Sequence, residues 1–397
     1  MKEGWEYRKL GEICDFRSGF AFKSNKFTKI GEPIIRISDI QNEEIDDSNL
    51  VYFAPKSYTE DLSKYLIYPD DILIAMSGGT TGKIGINTSN RTYYLNQRVG
   101  VFRENKKYLN HRYLFYFLHT KSEESLKIAA GAAQPNLSTA QIKSFLIPVP
   151  SLSEQQSIVD YLDAAFAKID AMKANAEKAL NEAKVLFQAS LKEMLEPKEG
   201  WKEKTLLALT SKIGSGATPK GGRKVYIDEG CHLIRSMNVQ YNEFKYEDLV
   251  HITDEAAEQL KGVEIQENDV LFNITGASIA RCCVVPTDAL PARVNQHVSI
   301  LRLKQDVLPR FLSYILNSPK HQRELLEIGE AGSTRQALTK TDLENHVICY
   351  PNIDSQNKLL YTLDSLKSKV DCLKANYDKI SQECDALKQA ILRQVFE

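Results

Sequence analysis

The stretch SGGTTGKIG, beginning at Ser77, carries the residue types of a phosphate-binding loop. That loop needs G-x-x-x-x-G-K followed by a hydroxyl for magnesium. Here Ser77 stands where the first glycine belongs and Ile84 where the hydroxyl belongs, so the stretch reads as a glycine-rich turn between strands. The run PDD at Pro69, followed by Glu104 and Lys106, offers the carboxylates and lysine of a metal-dependent nuclease. The seven cysteines are scattered without a CxxC pair, and Cys282 and Cys283 are adjacent, which suits neither a zinc knuckle nor a disulfide framework. The seven histidines form no HExxH-like or i,i+4 pair. There is no G-x-G-x-x-G after a strand and no Asn-Pro-Pro-aromatic motif, so no methyl-donor site of the usual kind is expected in this chain.

The elements that would hold these residues come in two copies. GWEYRKL at Gly4 answers GWKEKTL at Gly200, and IIRISDIQ at Ile34 answers LIRSMNVQ at Leu233. DILIAMSG at Asp71 answers DVLFNITG at Asp269, and LNQRVGVFR at Leu95 answers VNQHVSILR at Val294. RYLFYFL at Arg112 answers RFLSYIL at Arg310, and NLSTAQIKSFLIPVP at Asn136 answers ALTKTDLENHVICYP at Ala337. Six matches in the same order at a nearly constant offset define an internal repeat. The repeat also tests the chemistry. TGASIARCC replaces the GK pair in copy two, and NDV and RLK replace the nuclease-like residues. A duplication that keeps no catalytic residues reads as a recogniser. Asp71 and Asp269 are expected in turns before buried strands.

Each copy has a globular α/β part and a helical tail. The globular parts hold short apolar runs such as DILIAM and VICY, bounded by Gly, Asn, Asp and Pro. The tails follow Pro150 and Pro351, with Ser153 and Asp354 as expected N-caps and Gln156 at the capping-box spacing. A heptad follows. In the second tail, a is Leu363, Val370, Tyr377, Cys384 and Ile391, and d is Leu366, Leu373, Ile380, Leu387 and Gln394. In the first tail, a is Leu162, Ile169, Ala176 and Ala183, and d is Ala165, Met172, Ala179 and Leu186. Phe166, Leu180, Phe187 and Met194 form a second apolar row at e. Tails with such stripes should pair. The short link PKEG at Pro197 makes the pairing antiparallel, which predicts two similar heads held apart by a rod. The expected boundaries are a first head over 1–150, a spacer helix over 151–197, a second head over 198–352 and a returning helix over 353–397.

The chain has 397 residues and a net charge of −1, enough length for two or three cored domains and no overall basic charge. The opening MKEGWEYRKL is polar and mixed, and no run approaches the ~18 apolar residues of a membrane span. No membrane association and a reducing, cytoplasmic setting are expected.

The opening of each half, the IRxxDI/NV strand, the NQR/NQH element and above all IPVPSLSEQQSIVDYLD resemble the specificity subunits of type I restriction-modification systems. The second copy departs at CYPNIDSQNKLLYTLD, which lacks the Glu-Gln pair. The resemblance covers both halves. It implies an α/β fold class: two target recognition domains joined by a long antiparallel two-helix coiled coil with pseudo-twofold repeat. It implies that each head reads one half of a bipartite, asymmetric site in double-stranded DNA, and that the helices set the spacer and dock two modification subunits. Restriction/translocase subunits would join these. It implies no catalysis in this chain and no cofactor on it, with S-adenosylmethionine, ATP and Mg on partner subunits. The first tail is acidic by three and the second is balanced, leaving the heads and linkers only about +2. Much phosphate neutralisation then falls to the partners.

Matched polar positions are the candidate DNA contacts: Arg36 and Arg235, Lys83 and Arg281, Arg98 and His297, Gln134 and Arg335. Arginine can hold guanine bidentately. Asn96, Gln97, Asn295 and Gln296 could read adenine, although their sharing by both heads fits a structural role equally. Glu154 and Gln155 are the candidate partner contacts. The alternatives are a coiled-coil scaffold whose heads bind protein or glycan, and a specificity subunit serving a fused methyltransferase-nuclease.

Overall fold

The computed structural model describes residues 4–130, 136–330 and 336–397. The chain divides into two compact units, Met1–Ala176 with Asp378–Glu397, and Glu177–Tyr377. Two long helices, Leu152–Met194 and Ile353–Phe396, are each shared between the units. The α/β class with two domains and long paired helices holds.

In the first unit a six-stranded sheet runs in the order Cys14–Ser18, Val99–Glu104, Ile72–Ala75, Ile84–Ile86, Glu44–Ile45, Ile40–Gln41. A five-stranded sheet runs Phe27–Thr28, Val51–Phe53, Glu32–Ile35, Tyr93–Leu95, Leu66–Ile67. The strands of DILIAM and LNQRVGVFR pair antiparallel, Val99 opposite Ala75 and Phe102 opposite Ile72. All four residues of Ile72–Ala75 are buried, which explains why this strand reads as a continuous apolar run rather than an alternation. The helix His111–Thr120 lies against this sheet with six consecutive buried residues from Tyr113 to Leu118. A ribbon of Glu6–Lys9 and Leu146–Val149 joins the two ends of the head.

The second unit repeats the plan. Thr210–Ser215, Val298–Leu303, Val270–Asn273 and Cys282–Val284 form one sheet, and Tyr226–Ile227, Val250–Ile252, Cys231–Ile234 and Ala292–Val294 another. Lys202–Thr205 pairs with Val347–Tyr350 in the closing ribbon. The hairpin Val239–Gln240 with Glu243–Phe244 stands as its own two-stranded sheet, whereas its counterpart in the first unit joins the larger sheet.

Each head seats the start of one long helix and the end of the other. In the first unit Val159, Leu162, Leu392 and Phe396 belong to the head's own core, and the Phe396 ring lies 5.0 Å from Tyr113. In the second unit Leu191, Leu195, Leu360 and Leu363 do the same. The helices run antiparallel in the first unit: Lys388 pairs with Asp170 at 2.6 Å, Lys173 with Asp385 at 3.3 Å, and the Cys384 thiol points to the Ile169 carbonyl.

Two sequence expectations change here. The helices start one residue after the proline-linked cap, not two further on. Ser151 Oγ accepts from Glu154 N at 3.3 Å, and Asn352 Oδ1 accepts from Ser355 N at 2.9 Å. Ser153 and Asp354 therefore lie inside the first turn. The d row also does not form the seam. Met172 is 59% exposed, Leu186 64%, Leu387 49% and Leu373 36%, while Leu162, Ile169, Leu180, Leu363 and Cys384 are buried. The seam of the first helix uses the a row and the bulkier e row, with Phe166, Phe187 and Met194 packed on the head cores. Large side chains at e bury more apolar area than the alanines at d, and this turns the helix. The Lys388 stem completes the seam from the other helix, its ammonium 5.3 Å from the Phe166 ring centroid.

Candidate nucleic-acid interface

Four segments converge at one edge of each head. In the first head, Asn96 N donates to Ile35 O at 3.2 Å and Met76 N to Arg98 O at 2.8 Å. Leu137 N donates to Met76 O at 2.8 Å, and Ser77 bridges Asn136. The second head repeats every link: Asn295 N to Ile234 O at 3.1 Å, Ile274 N to His297 O at 3.0 Å, Leu338 N to Ile274 O at 2.8 Å, and Thr275 bridging Ala337. The end of the strand Glu32–Ile35 or Cys231–Ile234, the glycine turn, the Asn-Gln element and the segment before the last ribbon strand are thus laced together by backbone. This is the same set of segments on which the sequence placed its candidate contacts. Gln134 and Arg335 lie outside the described residues.

The glycine-rich turn is a strand connection. Gly78 and Gly82 have φ of 71° and 84°, so the turn needs residues free of a Cβ penalty, and Thr81 Oγ1 donates back to Gly78 O at 2.8 Å. Of the nuclease-like residues, Asp70, Glu104 and Lys106 line one open cavity and Asp71 does not. Asp71 is buried, receives Tyr68 N at 2.8 Å and forms a two-pronged pair with Arg103 at 2.9 and 2.6 Å. Asp269 repeats this with Gln266 N at 2.7 Å and Arg302 at 2.8 and 2.7 Å. Both aspartates thus brace a turn before a buried strand, and each raises its arginine's pKa further by accepting these bonds.

The candidate contacts differ in what they already hold. Arg36 Nη2 donates to Asp39 Oδ1 at 3.1 Å and to Asn49 O at 3.0 Å, and its backbone N donates to Asp39 Oδ2 at 2.9 Å. Arg235 likewise turns back, to Asp248 O, while its backbone N donates to Asn238 Oδ1 at 3.0 Å. Both arginines brace the turn after their strand. Lys83 is exposed and Arg98 partly so. His297 Nδ1 and Thr275 Oγ1 are 2.6 Å apart, and Asn295 Oδ1 accepts from His297 N at 3.0 Å. Gln97 and Gln296 are exposed, and Gln296 Oε1 accepts from Thr218 Oγ1 at 2.7 Å. Arg281 Nη1 donates to Gln240 Oε1 at 2.8 Å, and its guanidinium lies 5.3 Å from the centroid of the half-exposed Tyr241 ring.

Sequence reasoning missed the hairpin beside this arginine. Gln240 and Tyr241 sit at its tip, and Asn242 N donates to Cys282 O at 3.0 Å. In the first head Gln41 occupies the matching place, with Ile86 N donating to Glu43 O at 2.9 Å. The shared glutamine ending IIRISDIQ and LIRSMNVQ carried the signal.

Behind the heads lies a lock for the long helices. Gln155 is fully buried: Nε2 donates to Tyr108 O at 2.8 Å and Pro150 O at 2.9 Å, and Oε1 accepts from Asn110 N at 2.8 Å. Gln356 repeats all three bonds, to Asp306 O, Pro351 O and Leu308 N. Gln155 therefore turns inward and has no surface to offer a partner, whereas Glu154 is exposed and accepts from the Trp5 indole at 2.9 Å. Two turns on, Asp163 accepts from Tyr116 and Arg112, and Asp364 from Tyr314 at 2.8 Å and Arg310 at 2.7 Å. Burial, with the carboxylate acceptor, raises both phenols.

Among the described residues no helix is long and apolar enough to cross a membrane. The sequence matches the model of the type I restriction modification DNA specificity domain family over residues 2–182 and again over 198–382. It is 25% identical to the type I restriction enzyme EcoBI specificity subunit of Escherichia coli, across all of this chain and 86% of that one. It is 27% identical to a putative type I restriction enzyme MjaX specificity subunit of Methanocaldococcus jannaschii, across 96% of this chain and 91% of that one. The fold is similar to a chain solved in work on complex assembly and conformational transition of the type I R-M system, with TM-score 0.74 and 20% identity over 99% and 97% of the two chains. It is also similar to the HsdS subunit from Thermoanaerobacter tengcongensis, with TM-score 0.52 and 19% identity over 99% and 97%. A family match that falls twice, once on each repeat, places this chain in the type I restriction-modification DNA specificity family.

Proposed function

We propose that this chain selects the DNA sequence for a type I restriction-modification complex and performs no catalysis itself. Each head reads one half of a bipartite site in double-stranded DNA through the edge described above. The observation that carries this reading is the repeat of that edge, link for link, around side chains that differ: Lys83 against Arg281, Arg98 against His297, and, after the shared glutamine, Asn42 against Tyr241. Shared backbone gives both heads the same frame, and unlike side chains give them different half-sites. Arg36 and Arg235 support the frame by holding the adjoining turn, and base reading falls to the exposed members of the edge.

The partner surface in this proposal is the exposed apolar face of the helices, the d row with Tyr161 and Val185 beside it. An apolar row on a long helix is costly in water unless another chain covers it. Tyr161, Met172 and Leu387 in the first unit, and Val185, Leu186 and Leu373 in the second, fit two modification subunits, one for each unit. Glu154 stands at the start of the first helix, where it could meet a partner as well as Trp5. S-adenosylmethionine, ATP and Mg belong to partner subunits in this scheme, and restriction/translocase subunits add cleavage. The site of action is the cytoplasm. Helix length sets the spacer between half-sites.

The test is co-expression with the cognate modification subunits, followed by sequencing of methylated adenines in the host DNA. A single bipartite asymmetric motif is the expected result. A continuous motif, or methylation that does not depend on this chain, would refute the proposal.

A further inference from the structure

His321 and His346 are far apart in sequence and adjacent in the second unit. His321 Nδ1 and His346 Nε2 are 2.9 Å apart, and Glu324 Oε2 lies 3.5 Å from His321 Nδ1. All three ligand atoms fall within 4.8 Å of one another. Both histidines are buried, at 8% and 6% exposure, while the Glu324 side chain is 42% exposed. Beside them is a cavity of about 400 Å³ lined by His321, Glu324, Leu195, Glu196 and Pro197.

We propose that His321 Nδ1, His346 Nε2 and a carboxylate oxygen of Glu324 form a divalent-metal site with the two-histidine, one-carboxylate ligand set that suits zinc. Zinc–nitrogen bonds of about 2.0–2.1 Å in a tetrahedron set ligand atoms roughly 3.3 Å apart. The observed spacings bracket that value, so a small opening of the imidazole pair admits the ion. Without the ion one inward nitrogen donates to the other; binding shifts that ring hydrogen to the outer nitrogen, so that both inward nitrogens present lone pairs. Both rings are buried, a setting that favours the neutral imidazole a metal binds. Glu324 follows His321 by three residues on the helix Pro319–Glu330, which places both on one face. Water from the cavity completes the fourth position.

The ion would act as a clip. His346 immediately precedes the strand Val347–Tyr350, and its carbonyl accepts from Leu206 N at 2.9 Å. His321 belongs to the helix that lines the cavity against the end of the central long helix. The metal therefore ties the helix Pro319–Glu330 to the closing ribbon beside the end of the central long helix. The first head has a buried Phe145 at the place of His346, so the clip belongs to the second head alone.

The test uses the full chain, stripped with a chelator and titrated with Zn²⁺ alone, followed by calorimetry and thermal melting. The expected result is one Zn²⁺ per chain and a raised melting temperature. His346→Phe, which installs the first head's residue, should abolish both. Glu324→Gln lies at the surface and leaves the core intact, so it keeps the test decisive if His346→Phe does not fold. It should weaken binding by at least about tenfold. Absence of a Zn²⁺-dependent rise in melting temperature would overturn the proposal. So would Zn²⁺ affinity unchanged by Glu324→Gln, or a Co²⁺ spectrum with thiolate charge-transfer bands, which would place the ion on cysteine.

Discussion

A single glutamine in each half connects a head to a helix. Gln155 and Gln356 each satisfy two carbonyls and one backbone N–H in a fully buried setting. Replacing either by alanine leaves those groups without partners, which costs about 1–3 kcal/mol per unsatisfied buried group. Gln356→Ala should therefore lower the urea midpoint of unfolding markedly, whereas Asn357→Ala, one residue further on and exposed, should leave it unchanged. Equal midpoints would show that the lock does not hold the helix. A different outcome belongs to Lys83, exposed at the end of the glycine turn. Lys83→Ala in the assembled complex should weaken DNA binding and reduce the slope of log affinity against log salt by about 1 if the ammonium meets a phosphate. An unchanged slope would remove Lys83 from the interface. Residue roles were only partly legible in the sequence. The i,i+3 spacing of Arg36 and Asp39 held the clue that this arginine is engaged, but spacing alone does not say that Asn49 O also receives it. The pairing of His321 with His346 depends on where a helix and a ribbon strand meet, which no local pattern records.

The helices show why one register was misread. Rows a, d and e are all substantially apolar in the first tail, so the sequence left the seam open to two solutions. The head cores decided between them, because Phe166, Phe187 and Met194 at e must cover head residues as well as the opposite helix. The caps shifted for a related reason: the buried glutamine fixes the helix start two residues after Pro150 or Pro351 and leaves Ser151 and Asn352, directly after the prolines, as caps. The leftover exposed face, the d row with its neighbour Val185, leads to a prediction at this scale. Val185→Lys with Leu186→Lys should leave the melting temperature of the isolated chain within about 1–2 °C, since exposed substitutions cost little. The same pair should strongly reduce co-purification of modification subunits. Normal co-purification would mean that the exposed apolar row is not the partner surface.

For the molecule as a whole, the internal repeat was the most legible feature. Six matched segments fell on matched strands, turns and helices: four are laced together at the edge, one forms the closing ribbon and one the helix packed on the sheet. The side chains that should distinguish DNA sequences were the least legible, because nothing in the fold depends on them. This division makes the central claim testable. Residues 1–150 should be exchanged for the first head of another member of the family, and the methylated adenine motif should be mapped with the same modification subunits. The account predicts that one half of the bipartite motif changes while the other half and the spacer stay as they were. A change in both halves, or in neither, would contradict the assignment of one half-site to each head.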